Sequence, residues 1–312
     1  MTTMHRLETA EADIAYDVHG PLPTVGGRPP LFMIGQPMDA SGFATLASKF
    51  PDRTVITYDP RGLGRSTRKD GRVDNAPAAQ ADDVHAVIEA LGAGPLDMFA
   101  SSGGAVTALA LVAAHPNDVT TLVAHEPPLL RLLPDAAAAD RARCGVRDAY
   151  EAKGSSAGMA AFIAMTSWSG EYTDDYFAQP APDPASFGMP AGDDGSRDDP
   201  LLSDRSWAVS SYGPTSTRCV RHRRGSSSPW ARSPRAPSRH ARPRPPPSSS
   251  GSSRPCSRAT TAASSAASPD TRANPRPSRG DCATSLTTAT NAGHRSSRPR
   301  LGHLHVRVSR AS

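Results

Sequence analysis

Several features that define other classes of protein are missing from this 312-residue sequence. No apolar run approaches the length needed to cross a membrane, and the first twenty residues carry charges where a secretory signal peptide is apolar. The four cysteines include no C-x-x-C pair, so their spacing favours neither a zinc site nor a disulfide framework. These absences predict a protein of the reducing cytoplasm, with no bound metal and no cofactor.

The last third of the chain lacks three common residue types. The last lysine, isoleucine and glutamate are Lys153, Ile163 and Glu171, and the only aromatic residue after Pro214 is Trp230. Residues 1–214 have a net charge of −12, whereas residues 215–312 contain 19 arginines and two aspartates, a net charge of +17. A polar, proline-rich segment cannot bury enough apolar surface to offset its chain entropy. We therefore predict a disordered basic tail over 214–312.

The first part of the chain alternates apolar runs with helical patterns. The runs PPLFMIG, RTVITYD, PLDMFAS and VTTLVAHEPP suit buried strands, and QADDVHAVIEALGA and GGAVTALALVAAHP have helical spacing. This alternation predicts an α/β core over 1–128, with a mostly parallel sheet and helices on both faces. Residues 129–213 break the rhythm with two helical patterns and a long loop, which favours a helical cap inserted over the sheet edge.

A serine lies at the junction of one predicted strand and the next helix. Ala100, Ser102 and Gly104 form the pattern A-x-S-x-G, close to the G-x-S-x-G turn that exposes a nucleophilic serine. Two other interpretations are open for this turn. Ser102 can be an ordinary small residue in a glycine-rich turn. A phosphate-binding loop is the second alternative, but the G-x-x-x-x-G-K-[ST] pattern and a nearby lysine are both missing.

Four segments occur in the order and spacing of a known family. They are IGQPMDASGF, YDPRGLGRST, SSGG and AHEPP, and together they resemble the α/β-hydrolase family over roughly residues 1–214. The resemblance implies an α/β-hydrolase-like fold and a serine hydrolase that acts on a small ester or related acyl substrate. In that family the serine attacks an acyl carbon, a histidine takes its proton, and two backbone N–H groups hold the oxyanion.

The resemblance assigns roles to three residues of this chain. Ser102 is the implied nucleophile, and the backbone N–H groups of Gly103 and Gln36 are the implied oxyanion donors. Gln36 follows the glycine of the segment that corresponds to the family's His-Gly-x-Pro loop, where this chain has Ile34 instead of the histidine.

Other polar residues near these motifs carry weaker predictions. Glu126 is a candidate acid because it follows a strand, although a structural role as a strand cap or backbone partner is the favoured alternative. Asp59 and Arg61 in DPRGLGRS are expected to be structural, and His85 is expected on the solvated face of a helix.

The base of the triad is missing from the sequence. The family order is serine, acid, histidine, so the histidine should follow a strand beyond Pro214. None of the histidines there follows a strand-like run: His222, His240, His294, His303 and His305. The sequence therefore predicts a sheet that lacks its C-terminal strands, with one edge unpaired, and an inactive or crippled enzyme.

A shifted reading frame explains the composition of the tail. The tail is rich in Arg, Ser, Pro, Ala and Thr and contains no Lys, Ile or Glu. A GC-rich gene that is translated out of frame yields such a composition. Combining the last base of each codon with the first two of the next permits D-[VL]-D-A-L-R after Pro214, then R-V-V-V-A-V-G, and then V-F-P-[SG]-D-H-G-G-F-L-G-G-E. The last string has a histidine in a glycine-rich loop after an apolar run. We hypothesise that one nucleotide is missing near the Pro214 codon.

Two functions of other classes compete with the hydrolase. The arginines of the tail would attract nucleic acid, but aromatic residues for base stacking are nearly absent and no nucleic-acid fold is recognisable. A non-catalytic protein that uses the pocket for a ligand is the other alternative. We expect a small-molecule acyl substrate as the partner, with no specific nucleic acid and no membrane. The sequence indicates neither the oligomeric state nor the identity of the substrate.

Overall fold

The computed structural model describes residues 1–190, 192–193 and 195–213, and the backbone of two further strands at 284–288 and 305–310. The strands are β1 Thr2–Glu8, β2 Ala12–His19, β3 Leu31–Gln36, β4 Val55–Tyr58, β5 Thr67–Arg68, β6 Leu96–Ser102, β7 Val119–His125, β8 Thr284–Thr288 and β9 His305–Arg310. The α-helices are α1 Ala44–Ala47, α2 Pro77–Leu91, α3 Gly103–Ala114, α4 Ala136–Ser167, α5 Asp174–Phe177 and α6 Trp207–Ser210. Short 3₁₀ helices lie at Ala40–Phe43, Leu130–Leu132, Pro184–Phe187 and Asp204–Ser206.

The strands form one mixed sheet in the order β1-β2-β4-β3-β6-β7-β9-β8, and β5 pairs with β2. The four central strands β4, β3, β6 and β7 are parallel, while β1, β2, β9 and β8 pair antiparallel with their neighbours. The four strands and two helices that the apolar runs of residues 1–128 predict are confirmed.

The central strands are apolar because both faces of the sheet are covered. All six residues of β3 and all four of β4 are buried. The main core joins these strands to α2 and α3, and α3 contributes mostly alanine and valine to it. Gly92 has a φ of 59° and ends α2 with the left-handed conformation that glycine favours. A continuous apolar strand flanked by helices is typical of a parallel sheet.

Residues 129–213 form a second, mainly helical cluster. The helix α4 contains a break at Gly154, where φ is 82° and ψ is −172°, so its two halves correspond to the two helical patterns of the sequence. Tyr150 and Leu202 are buried in a separate apolar core with residues from both halves of α4. In the part of the chain that the structure describes, no helix is both long enough and apolar enough to cross a membrane.

The edge of the sheet beside β7 differs from the prediction. The sequence predicts an unpaired edge and a tail without strands, but β9 pairs antiparallel with β7, and β8 pairs with β9. The segments TSLTT and HVRVSR are rich in β-branched residues, and the second alternates polar residues with valine. The average composition of residues 214–312 does not indicate such short segments. The rest of the predicted tail lies outside the described residues.

Candidate active site

The turn between β6 and α3 places Ser102 in an unusual backbone conformation. Its φ is 55° and its ψ is −126°, a region that residues with a Cβ atom rarely occupy. The residues around it are small because the turn is crowded. Ala100 is completely buried, and a Cβ atom on Gly104 would lie 2.7 Å from the Cα atom of Gly35. The A-x-S-x-G pattern thus reflects the space available in this turn.

The register of the parallel strands brings three segments of the chain together. Gln36 is the register partner of Ser102, and Ser101 is the partner of His125. Glu126 follows His125 directly and therefore lies next to the same end of β6. Ligands in open α/β sheets bind at the carboxyl ends of the parallel strands, which is where these residues meet.

A cavity of about 570 Å³ opens at this end of the sheet. Its lining includes the predicted site residues Gln36, Ser102, Gly103 and Glu126. Most of the other lining residues belong to 129–213, among them Leu130, Arg143, Val146, Arg147, Phe162, Met165 and Tyr172. The cavity therefore lies between the sheet and the segment for which the sequence predicts a cap.

Two non-glycine residues of the described chain have a positive φ, and both line this cavity. They are Ser102, with a φ of 55°, and Glu126, with a φ of 51°. Each such conformation costs about 1–3 kcal/mol and persists only where the surrounding structure imposes it. The strained residues lie at the carboxyl ends of two neighbouring strands, β6 and β7. This backbone strain marks the cavity as the candidate site.

The backbone around Gln36 limits which N–H groups can face the cavity. Pro37 has no N–H group, so Gln36 carries the last backbone donor of β3 before the turn. A Cβ atom on Gly103 would lie 3.0 Å from the Gln36 carbonyl oxygen, so these two residues are in close contact. Ile34 is completely buried in the core and does not line the cavity.

None of the described histidines lines the cavity. His125 directly precedes the lining residue Glu126; its Nδ1 lies 3.2 Å from Ser101 Oγ and its Nε2 lies 3.8 Å from Glu126 Oε1. This hydrogen-bond contact is with Ser101, and His125 does not line the cavity that Ser102 lines. The contact with Ser101 therefore does not supply a base for Ser102.

Asp59 and Arg61 have the structural contacts that the sequence predicts. Asp59 accepts hydrogen bonds from the backbone N–H groups of Ala40, at 2.9 Å, and Arg65, at 2.8 Å, and from Arg65 Nε at 2.7 Å. Burial raises the pKa of Asp59, but these hydrogen bonds outweigh it and lower the pKa below its ordinary value. Arg61 binds Asp83 with two hydrogen bonds, at 2.6 and 2.7 Å. Neither residue lines the cavity.

A cluster of metal-ligating side chains lies away from the cavity. His85 Nδ1 is 2.7 Å from Asp118 Oδ2, and the rings of His85 and His115 stack with centroids 3.7 Å apart. One ligand atom from each of these three residues lies within 4.8 Å of the other two. The sequence predicts a solvated face for His85, and its side chain is 26% exposed while it also contacts His115 and Asp118. Sequence spacing gives no signal for a cluster that joins two helices and a turn.

Two polar residues of the cavity wall were not predicted. Asn75 is 1% exposed, and no described residue pairs with its side-chain amide. Arg143 has a buried Nη1 atom that likewise has no hydrogen-bond partner in the described part of the chain. The sequence offers no signal for either residue, because Arg143 belongs to a helix with many charged positions and Asn75 to an irregular segment.

The family comparison agrees with this topology. Residues 35–147 match the family model for the alpha/beta hydrolase fold. The range runs from the end of β3 into the first half of α4 and includes Ser102. The described core has the α/β-hydrolase fold, as the sequence predicts.

Individual relatives also match only part of the chain. A stretch of 128 residues is 34% identical to the uncharacterized hydrolase YraK of Bacillus subtilis (strain 168) and covers 41% of this chain. The match covers 45% of YraK, so the chain spans less than half of the length of this relative. One similar solved structure is that of MGS-M2, an alpha/beta hydrolase enzyme from a Medee basin deep-sea metagenome library. It is 19% identical over 52% of this chain and 55% of that chain, and the TM-score is 0.39. The epoxide hydrolase CorEH is 22% identical, with 39% and 41% covered and a TM-score of 0.34.

Proposed function

We propose that this protein is a serine hydrolase of the α/β-hydrolase type, with Ser102 as the nucleophile and a small ester or related acyl compound as the substrate. The observation that carries the proposal is the strained conformation of Ser102, at a strand-to-helix turn on the wall of the cavity. The name of YraK as a hydrolase supports the same class of reaction.

In the proposed reaction Ser102 Oγ bonds to the acyl carbon as its proton passes to a base, which then donates that proton to the leaving alcohol oxygen. The backbone N–H groups of Gly103 and Gln36 stabilise the negative charge that develops on the carbonyl oxygen. Collapse of this intermediate breaks the bond to the leaving alcohol, and water then releases the acid. Glu126 lies on the same cavity wall and is the candidate acid of the site.

The proton of Ser102 needs an acceptor, and in the described residues no histidine lines the cavity. We therefore propose that the chain as written is inactive or strongly impaired, because a serine hydroxyl without a base is a weak nucleophile. The proposed frameshift near the Pro214 codon accounts for the missing histidine. Sequencing the gene across the codons for Tyr212 to Cys219 tests where the nucleotide was lost. One additional base shows that it is missing only from the determined sequence, whereas an unchanged sequence means that the gene itself encodes this tail.

A fluorophosphonate probe tests the nucleophile directly, because its phosphorus atom accepts a serine oxygen as fluoride leaves. We expect slow labelling of the wild-type chain and none of Ser102→Ala. The matched control is Ser101→Ala, which removes the neighbouring hydroxyl and should leave labelling unchanged. Equal labelling of wild type and Ser102→Ala would contradict the assignment of Ser102.

A ligand-binding protein without catalytic activity is the second candidate, and the lack of a cavity histidine in the described residues favours it. Complete absence of labelling in the wild-type chain, with ligand binding retained, would support this function over the first. A cytoplasmic location and the absence of a nucleic-acid partner stay predictions in either case.

A further inference from the structure

Arg143 is a cation on the cavity wall whose hydrogen-bonding capacity the described protein does not satisfy. Its Nη1 atom is buried and has no partner among the described residues. Arg147, one helical turn further along α4, instead pairs with Asp148 at 3.2 Å and with Asp204 at 3.6 Å. A buried donor on a charged group is costly unless an acceptor reaches it. Arg143 therefore has the properties of a residue that binds an anion.

The contact between Arg143 and Trp207 orients this group for a ligand. The guanidinium carbon lies 3.7 Å from the centre of the Trp207 ring, so the indole covers one face of the guanidinium plane. The N–H donors project from the edge of that plane, where a carboxylate can accept two of them in parallel. Burial lowers the pKa of Arg143 to about 10, which still leaves the group protonated at neutral pH.

The charges around the cavity limit the kind of anion. The charged residues of its lining are Arg143, Arg147 and Glu126, and Arg147 is already paired with Asp148 and Asp204. A carboxylate, with one negative charge, matches the single charge of Arg143, whereas a doubly charged phosphate ester exceeds it. The buried amide groups of Gln36 and Asn75 also lack partners in the described chain and supply neutral donors and acceptors on the same wall.

We propose that Arg143 binds a free carboxylate on the substrate, which makes the substrate an ester or related acyl compound that carries a second, ionised acid group. In this proposal the acyl carbon lies at Ser102 and the carboxylate at Arg143, and both residues line the same cavity. This inference rests on the proposed function for the reaction itself, but the binding step does not require Ser102 to react.

Calorimetry with two matched esters tests the binding step. The probes are monomethyl glutarate, which carries one carboxylate, and the neutral dimethyl glutarate, both titrated into full-length Ser102→Ala protein so that no turnover interferes. We expect the monoester to bind at least about tenfold more tightly than the diester. The Arg143→Met variant in this background should bind the two esters with nearly equal affinity.

Arg141→Met is the matched control, because Arg141 also lies over an aromatic ring, 3.4 Å from the centre of Phe177, but does not line the cavity. It should retain the preference for the monoester. The proposal is overturned if the Ser102→Ala protein binds the two esters equally or binds neither. This outcome does not depend on whether the Arg143→Met variant folds. Fluorophosphonate labelling is independent of this result, so a failure of the nucleophile and a failure of the carboxylate site are distinguished.

Discussion

Gly104 in α3 packs directly against the backbone of Gly35 in β3. A Cβ atom on Gly104 would lie 2.7, 2.8 and 2.9 Å from the Cα, N and C atoms of Gly35. Backbone atoms of a central strand cannot move aside as the end of a flexible side chain can. We expect Gly104→Ala to reduce the free energy of unfolding by about 2–3 kcal/mol, measured by urea denaturation.

Gly145 provides a control for the helix propensity of alanine. It lies in α4 with no atom within 4 Å of a Cβ atom placed on it. Gly145→Ala should leave the free energy of unfolding unchanged or raise it by up to about 1 kcal/mol. A stable Gly104→Ala variant would show that β3 and α3 separate more easily than this packing indicates.

Much of the core is predictable because its signals are local in the sequence. The apolar runs of β3, β4, β6 and β7 and the small residues around Ser102 indicate strands and a tight turn without any knowledge of distant contacts. The order of the motifs then limits the topology to a few alternatives. The fold of the central sheet and the position of Ser102 at the end of a strand follow from these features.

The rest of the site depends on contacts between segments that are far apart in the chain. The pairing of Arg143 with Trp207 joins residues 64 positions apart, and the strain at Glu126 depends on how β7 leaves the sheet. Neither the Arg143–Trp207 contact nor the strain at Glu126 produces a periodic pattern in the sequence. The strands β8 and β9 were missed for a different reason, since short β-branched segments are hidden in the average composition of the tail.

The strain at Ser102 predicts a difference between two small substitutions. Glycine occupies positive φ without steric cost, whereas alanine keeps the Cβ atom and therefore the strain. We expect Ser102→Gly to raise the free energy of unfolding by about 1 kcal/mol relative to Ser102→Ala, measured by thermal and urea unfolding. Both variants should lose fluorophosphonate labelling. Equal stability of the two would show that the strained conformation relaxes once the serine is replaced.

Arg61 is the centre of a buried ionic network, and its removal leaves buried carboxylates without a partner. Its side chain is 4% exposed and binds Asp83, which is 3% exposed, and also Asp70 and Glu11 at 3.1 Å. Breaking a buried pair costs about 3–5 kcal/mol. We expect Arg61→Met to lower the free energy of unfolding at pH 7 by about this amount, measured by urea denaturation.

The second substitution Asp83→Asn tests the cause of this loss. Burial already raises the pKa of Asp83 despite the neighbouring Arg61, and the loss of Arg61 should raise it further. An acid whose pKa is raised in the folded state binds protons more readily there, so the folded state gains stability as the pH falls towards the unfolded-state pKa. The loss of unfolding free energy in Arg61→Met should therefore become smaller as the pH falls from 7 towards 4. The double variant should recover part of the loss at pH 7. A pH-independent deficit would assign the loss to packing of the side chain instead of to the unpaired charge.

Asp59 should give the opposite pH dependence, because hydrogen bonds from Arg65 and Ala40 lower its pKa despite its burial. Its contribution to stability is complete above the unfolded-state pKa of about 3.9 and is lost as the pH falls through the lower folded-state value. Asp59→Asn replaces one acceptor oxygen with a donor that faces other donors, and we expect a loss of about 2 kcal/mol at pH 6.5. The difference in unfolding free energy between wild type and Asp59→Asn should narrow when the urea midpoints are compared at pH 3.

Asp52→Asn is the control. Asp52 pairs with Arg28 on the surface, and both side chains are more than 60% exposed. This substitution should change the free energy of unfolding by less than about 0.5 kcal/mol. A constant difference between wild type and Asp59→Asn across this pH range would mean that the neutral Asp59 side chain holds the turn after β4 as well as the carboxylate does.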